Sequence, residues 1–232
     1  MPGKVLKLLC GQTVLAHVIA RLQACSGIDE IVVATTTAPH DASIAEEAAR
    51  HHVKVFRGNE EDVLERYCLA ARESGADTVV RATSDDPLLD PQVLSRMLEL
   101  YKVELAGGKR IDYLSNNLGK RSYPLGLDVE VISMSALEKA HQEASTPSER
   151  EHVTPYIYQN SAKFILRNYP SSKDLSAHRW TLDTQEDWTL ISGIYAALYK
   201  PGEIFTTQSV LDFLAAKPEL MSVNAHVKQR QA

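Results

Sequence analysis

The run Thr78-Val79-Val80-Arg81-Ala82, followed by Thr83-Ser84-Asp85-Asp86-Pro87-Leu88-Leu89-Asp90-Pro91, constrains this chain more than any other stretch. A short β-branched run reads as a strand of a buried parallel sheet. Asp90-Pro91 then reads as a helix start, with Asp as N-cap and Pro at the first helical position. The carboxylates of Asp85 and Asp86 therefore lie in a strand-to-helix turn, where open α/β sheets bind ligands. Capping alone accounts for Asp90. Asp85 and Asp86 are not needed to start the helix and repel each other, so a cation is their natural partner, with solvated surface as the plain alternative.

The flanking segments give that turn its context. Apolar Val14, Leu15, Val18, Ile19 and Leu22 recur at helical spacing behind Thr13, a capping residue. Glu30 to Thr35 reads as a buried strand, Asp41 to His52 as a helix, Lys54 to Arg57 as a strand and Asp62 to Ser74 as a helix. Strands alternating with such helices predict βαβ units, so the first half is expected to be a doubly wound α/β domain with one parallel sheet. The pattern changes after the helix from Pro91 to about Lys102. Ile111-Asp112-Tyr113-Leu114 and Leu127-Asp128-Val129-Glu130-Val131 read as strands of an antiparallel segment broken by Pro124 and Gly126. A helix is expected from Met134 to about Ala144, a loop over Ser145 to Ser148 and a short helix over Arg150 to Gln159, interrupted by Pro155. Phe164 to Asn168 and Arg179 to Thr184 read as strands. The latter brings a second carboxylate, Asp183, to a strand end before a long helix, where helix capping would also explain it.

Composition narrows the function. The chain has 232 residues, 44% hydrophobic and 24% charged, and a formal charge of −5. That fits one soluble globular domain over residues 1–232 and argues against a nucleic-acid-coating surface, leaving a small-molecule partner. Cys10, Cys25 and Cys68 are widely spaced and odd in number, which points to a reducing, cytoplasmic setting without a structural zinc site. No apolar run has the length of a membrane span.

Taken together, these residues resemble the cytidylyltransferase family that activates acidic sugars, which includes the acylneuraminate and Kdo (3-deoxy-manno-octulosonate) enzymes, and within it the branch of spore coat polysaccharide biosynthesis proteins. The likeness spans nearly the whole chain. It is carried by Pro2-Gly3-Lys4-Val5-Leu6, Ile31 to Thr35, Val55-Phe56-Arg57-Gly58, Asp62-Val63-Leu64-Glu65-Arg66-Tyr67, Arg81 to Pro91, Gly126 to Val131, Arg150-Glu151-His152-Val153-Thr154-Pro155-Tyr156, Leu182-Asp183-Thr184 and Asn224-Ala225-His226.

The resemblance implies a Rossmann-like nucleotide-diphospho-sugar transferase sandwich, dimeric through roughly residues 111–131. It also implies a reaction in which a sugar hydroxyl takes CMP from CTP and pyrophosphate leaves. Mg²⁺ would draw charge off the phosphates, held by Asp85 and Asp183. Lys4 would neutralise the triphosphate, and Arg81, Thr83, Ser84 and Asp86 would face the nucleotide. Asp128, Glu130, Arg150 and His152 would lie on the sugar side. Each has a plainer alternative: an ion pair for Arg81, an exposed strand edge for Asp128 and Glu130, and a charged surface helix for Arg150 and His152. His152 has no neighbour at metal-ligand spacing.

Two departures from the family pattern shape further expectations. Ser84 and Asp86 stand where the branch has Gly and Cys, so Asp86 is expected to add negative charge beside the triphosphate and weaken CTP binding. The family also begins with a strand and a basic loop, of which only Lys4 is matched here. The first strand of such a sheet is central, so a natural start upstream of Met1 is expected, and the 232-residue form is expected to be poorly soluble and to bind CTP weakly at best. Two other functions stay open: a glycosyltransferase using a nucleotide-sugar donor, and a catalytically impaired homologue acting as a binding protein.

Overall fold

Strand and helix alternate through the first half of the chain as the periodicity predicts, but the strands do not join into one sheet. The computed structural model describes Met1 and residues 3–227. A small antiparallel hairpin, β1 (Leu8–Leu9) and β2 (Gln12–Thr13), leads into α1 (Val14–Gln23), capped by Thr13. There follow β3 (Val32–Thr36), α2 (Ala42–Arg50), β4 (Lys54–Gly58), α3 (Val63–Glu73), β5 (Thr78–Arg81) and α4 (Pro91–Ala106). The second half holds β6 (Tyr113–Ser115), β7 (Glu130–Ser133), α5 (Met134–Glu143), α6 (Pro147–His152), α7 (Pro155–Gln159), β8 (Leu166–Asn168), α8 (Gln185–Leu198), α9 (Thr207–Ala216) and α10 (Pro218–Met221).

In place of the single parallel sheet that the alternation predicts, the described residues form two sheets besides the β1–β2 hairpin. Strand β3 pairs in parallel with β4, from Val32 opposite Lys54 to Thr36 opposite Gly58. The other sheet has the order β5-β7-β6-β8 and is mixed. In it β7 runs antiparallel to both neighbours, as expected of the region around residues 111–131, while β8 is parallel to β6. Among the described residues β3 and β5 share no ladder, so each keeps an edge with no strand bonded to it. Burial follows the pairing: β6 is buried throughout and β7 along most of its length, whereas β5 and most of β3 are half-buried.

Two further elements differ from the sequence reading. Arg179 to Thr184 forms no strand; it is an extended segment with one bridge, between Leu125 and Arg179. Gly126, at φ +99°, presses on this segment so closely that an added Cβ would lie 2.5 Å from the backbone nitrogen of Thr181. Only a residue without a side chain permits that approach. The helix expected over Arg150 to Gln159 is two helices, the first beginning earlier, at Pro147, because Thr146 and Glu149 form a capping box. Val153, at φ +73°, separates it from α7.

The strands of the segment around 111–131 feed the core, while Gly119 and Lys120 between them are exposed. Ile111, Tyr113, Leu114, Leu127, Val129 and Val131 are all core residues. No described helix is long and apolar enough to cross a membrane.

Candidate active site

Two peptide segments distant in sequence build the site. The first is the turn leaving β5, fixed behind by Asp90, whose side chain caps α4 through the Gln92 N–H and also accepts the Thr207 N–H at 2.9 Å. The second is the extended segment before α8, bonded to the turn directly where the Leu182 N–H donates to the Asp85 carbonyl. Capping of α8 falls to Thr184 and Asp187, which form a capping box, so Asp183 is not the cap and its carboxylate is available for other partners.

Asp85 and Asp183 converge on one cation, the ammonium of Lys4. Lys4 Nζ donates to Asp85 Oδ2 at 2.6 Å and to Asp183 Oδ1 at 2.9 Å. Burial disfavours the charged amine, but Asp85 and then Asp183 outweigh that and hold its pKa above the ordinary lysine range. Arg179 donates to the other oxygen of Asp183 at 3.0 Å while gripping Asp187 with two nitrogens, and thereby orients the carboxylate from behind. Asn224 donates to the Arg179 carbonyl and to Asp187. Neither Arg179 nor Asp187 was singled out in the sequence. The reading of Asp-Thr-Gln-Glu-Asp as a helix start held the signal for Asp187, but nothing local announces Arg179.

Asp86 has a different environment from its neighbour. It is buried, accepts the Thr83 hydroxyl on Oδ2, and among the described residues its Oδ1 has no hydrogen-bond partner. Burial first, and Asp85 second, push its carboxyl up to about 8. The surroundings of Asp86 therefore favour its protonated form. Ser84 is exposed at the tip of the turn.

Arg81, Asp128 and Glu130 belong to one polar layer beside the turn. Arg81 faces Glu130 across the β5–β7 ladder and donates Nη1 to its Oε2 at 2.6 Å. Glu130 also accepts the Tyr113 hydroxyl, and it is buried on a strand paired on both sides, so the exposed-edge reading fails. Burial is the largest influence on Arg81 and opposes its charge, yet Glu130 outweighs it and raises the pKa. Asp128 is held bidentately by Arg121, at 2.7 and 2.9 Å, though burial still lifts its carboxyl above the usual range. Arg150 donates to Asp62 and to the His141 carbonyl, tying α6 to the start of α3 and to α5. His152 is half-buried beside it.

Among the described residues no group of three or more His, Cys, Asp or Glu is placed to hold a metal. Two carboxylates focused on one positive charge are nevertheless a donor set suited to Mg²⁺, which takes one or two carboxylates and fills its remaining positions with phosphate oxygens and water.

Comparison with known proteins agrees with this architecture. The chain is 33% identical to an uncharacterized protein of Methanocaldococcus jannaschii over 99% of its own length and 91% of that protein. It is 28% identical to the spore coat polysaccharide biosynthesis protein SpsF of Bacillus subtilis, covering 84% of this chain and 80% of the relative. A solved cytidylyltransferase from Leptospira borgpetersenii superposes on the whole chain and on 93% of its own with a TM-score of 0.89 at 30% identity. With residues 1–200 also matching the model of the family described as cytidylyltransferase, the chain belongs to the cytidylyltransferases.

Proposed function

We propose that the protein is a Mg²⁺-dependent cytidylyltransferase that activates an acidic sugar, with CTP and the sugar as substrates and a homodimer as the working form. The observation that carries this reading is the convergence of Asp85 and Asp183 on Lys4 Nζ beside the strand-end turn. Asp85 and Asp183 would hold Mg²⁺, which when bound withdraws charge from the phosphates as a Lewis acid. Lys4, already held between the carboxylates, supplies positive charge next to the triphosphate. Arg179 and Asp187 keep Asp183 oriented, so ordering costs little when the nucleotide arrives. In its protonated form Asp86 leaves the turn less repulsive to phosphate. Arg81, expected to face the nucleotide, pairs with Glu130, and Arg121 pairs with Asp128, so both guanidiniums adjoin carboxylates assigned to the sugar, each already balanced by one.

Asp85→Asn and Asp183→Asn should each lower CTP-dependent pyrophosphate release by at least about a hundredfold, several kcal/mol of transition-state stabilisation, with the fold retained. Calorimetry should show Mg²⁺ uptake in the presence of CTP by the wild type and its loss in both variants. Near-wild-type rates in both would remove the metal assignment.

A finer proposal concerns the split sheet. We infer that a strand and a basic loop ahead of Met1 complete the sheet between β3 and β5, and the unpaired edges of those strands support this. If so, the 232-residue form should bind CTP weakly, and a version carrying the preceding coding sequence should bind it tightly. A stop codon directly before Met1 would end the idea.

A further inference from the structure

Among the described residues three that are not glycine have positive φ, Cys10, His52 and Val153, and Val153 alone of them is β-branched. It is fully buried and β-branched, yet it sits at φ +73° and ψ −54°, with the Thr154 N–H donating to the His152 carbonyl at 2.9 Å. That is the positive-φ γ-turn, a rare and strained conformation that persists only where the surroundings over-determine it. Two short helices could be joined without it. What the turn achieves is the placement of Thr154, which is buried and donates its hydroxyl to Glu130 Oε1 at 2.8 Å.

Glu130 is the junction of the polar layer. Its Oε1 receives Thr154 and Tyr113, and its Oε2 receives Arg81. A carboxylate held by two hydroxyls cannot turn away from the guanidinium. Arg81 also stands over the Tyr67 ring, 5.9 Å from the centroid, while its buried Nε has no partner among the described residues. It is the last residue of β5, two positions before the Thr83–Asp86 turn.

We propose that the Val153 γ-turn is a positioning device for the acceptor side of the site: by seating Thr154 on Glu130 it fixes the Arg81 guanidinium beside the strand-end turn. The role named here rests on the cytidylyltransferase reading, because that reading supplies the acceptor. Thr154 and Val153 are positioning residues and touch no substrate. The strain is tolerated because a looser Arg81 would lose the alignment of its donors toward a sugar hydroxyl or carboxylate.

The test uses Thr154→Val, which removes the donor; Thr154→Ser, which restores it; and Val153→Gly, which permits the same φ without strain. With Kdo as the acceptor probe, Thr154→Val should raise the KM for Kdo at least about fivefold with the KM for CTP unchanged, and Thr154→Ser should return it toward wild type. A second readout needs no turnover: the ¹⁵Nη–H signals of Arg81, whose Nη1 donates to Glu130, should exchange slowly in the wild type, Thr154→Ser and Val153→Gly, and rapidly in Thr154→Val. Should Thr154→Val fail to fold, Tyr113→Phe removes the other hydroxyl from the same oxygen and takes its place. If the wild type does not turn over Kdo, the functional reading loses support while the Arg81 signal still decides the positioning. An Arg81 signal unaffected by loss of the hydroxyl, or equal losses in the Val and Ser variants, would overturn the proposal.

Discussion

The β3–β4 pair and the β5-β7-β6-β8 sheet are written in the same alphabet. Val32-Val33 and Val131-Ile132 are equally apolar and β-branched, yet Val131 and Ile132 are fully buried while Val32 and Val33 are half-exposed. The difference lies in neighbours. Strand β7 is flanked by β5 and β6 and covered by α5, so each residue meets side chains from several directions. Strand β3 has β4 on one edge and no bonded strand on the other. Intrinsic β-preference is a statement about fitting a half-buried pleated surface, and only the pairing decides whether that surface is then closed.

The largest expected effect lies in the well-closed half. Gly126→Ala would place a methyl group 2.5 Å from the backbone of Thr181 and Trp180 while forcing alanine to φ +99°. Backbone cannot move aside as a flexible side chain can, so a loss of more than about 3 kcal/mol is expected, read as a fall in the denaturation midpoint. Since the same contact carries Asp183, pyrophosphate release should fall with it. A fully stable Gly126→Ala protein would show that this closure is looser than its geometry. Ile132→Ala comes next. Ile132 is fully buried between Val79 and Tyr113, and its truncation should cost about 2 to 5 kcal/mol in chemical denaturation.

What the sequence made legible follows the same division. Local signals were read well: Thr13 and Asp90 cap the predicted helices, and the antiparallel character around residues 111–131 is found in β6 and β7. The paired carboxylates were visible because both sit at segment ends ahead of helices. Pairing between distant segments was not visible. No local pattern tells that Arg81 will face Glu130, that Arg179 will orient Asp183, or that Arg150 will pair with Asp62. The apolar alternation of Arg179 to Thr184 is real, but whether such a run is paired along its length depends on distant segments, and here one bridge, from Leu125 to Arg179, is formed. The strain at Val153 is likewise unreadable, since valine carries no mark of positive φ.

A pH experiment sharpens the contrast further, because the closed half also encloses Asp86. Its carboxyl is raised from an ordinary value of 3.8 to about 8, chiefly by burial and then by Asp85. Between those values the folded chain holds a proton that the unfolded chain has released, so stability falls as pH rises. This contribution is complete below about pH 4 and lost above about pH 8. Asp86→Asn should flatten that slope, gaining on the wild type as pH increases from 5 to 8 in parallel denaturation series. Equal slopes in the two proteins would mean that Asp86 is solvated or paired in solution.

The smallest effect tests the open half. Val33 pairs with Val55, is half-buried, and belongs to none of the three core clusters. Its truncation removes two methyl groups that are already partly in water and leaves no closed cavity, so both the transfer and the cavity terms shrink. Val33→Ala should therefore cost about 1 kcal/mol or less, well below Ile132→Ala. Hydrogen exchange gives the same contrast without mutation: amides of β7 should be protected to near the global unfolding free energy, and those on the unpaired edges of β3 and β5 should exchange through small local openings. The comparison breaks if Val33→Ala proves as costly as Ile132→Ala and the β3 amides are as slow as those of β7. That outcome requires the open edge to be covered in solution, by a strand from a longer form of the chain or by a second copy. Concentration-dependent exchange at β3 separates the two, since only a second copy dissociates on dilution.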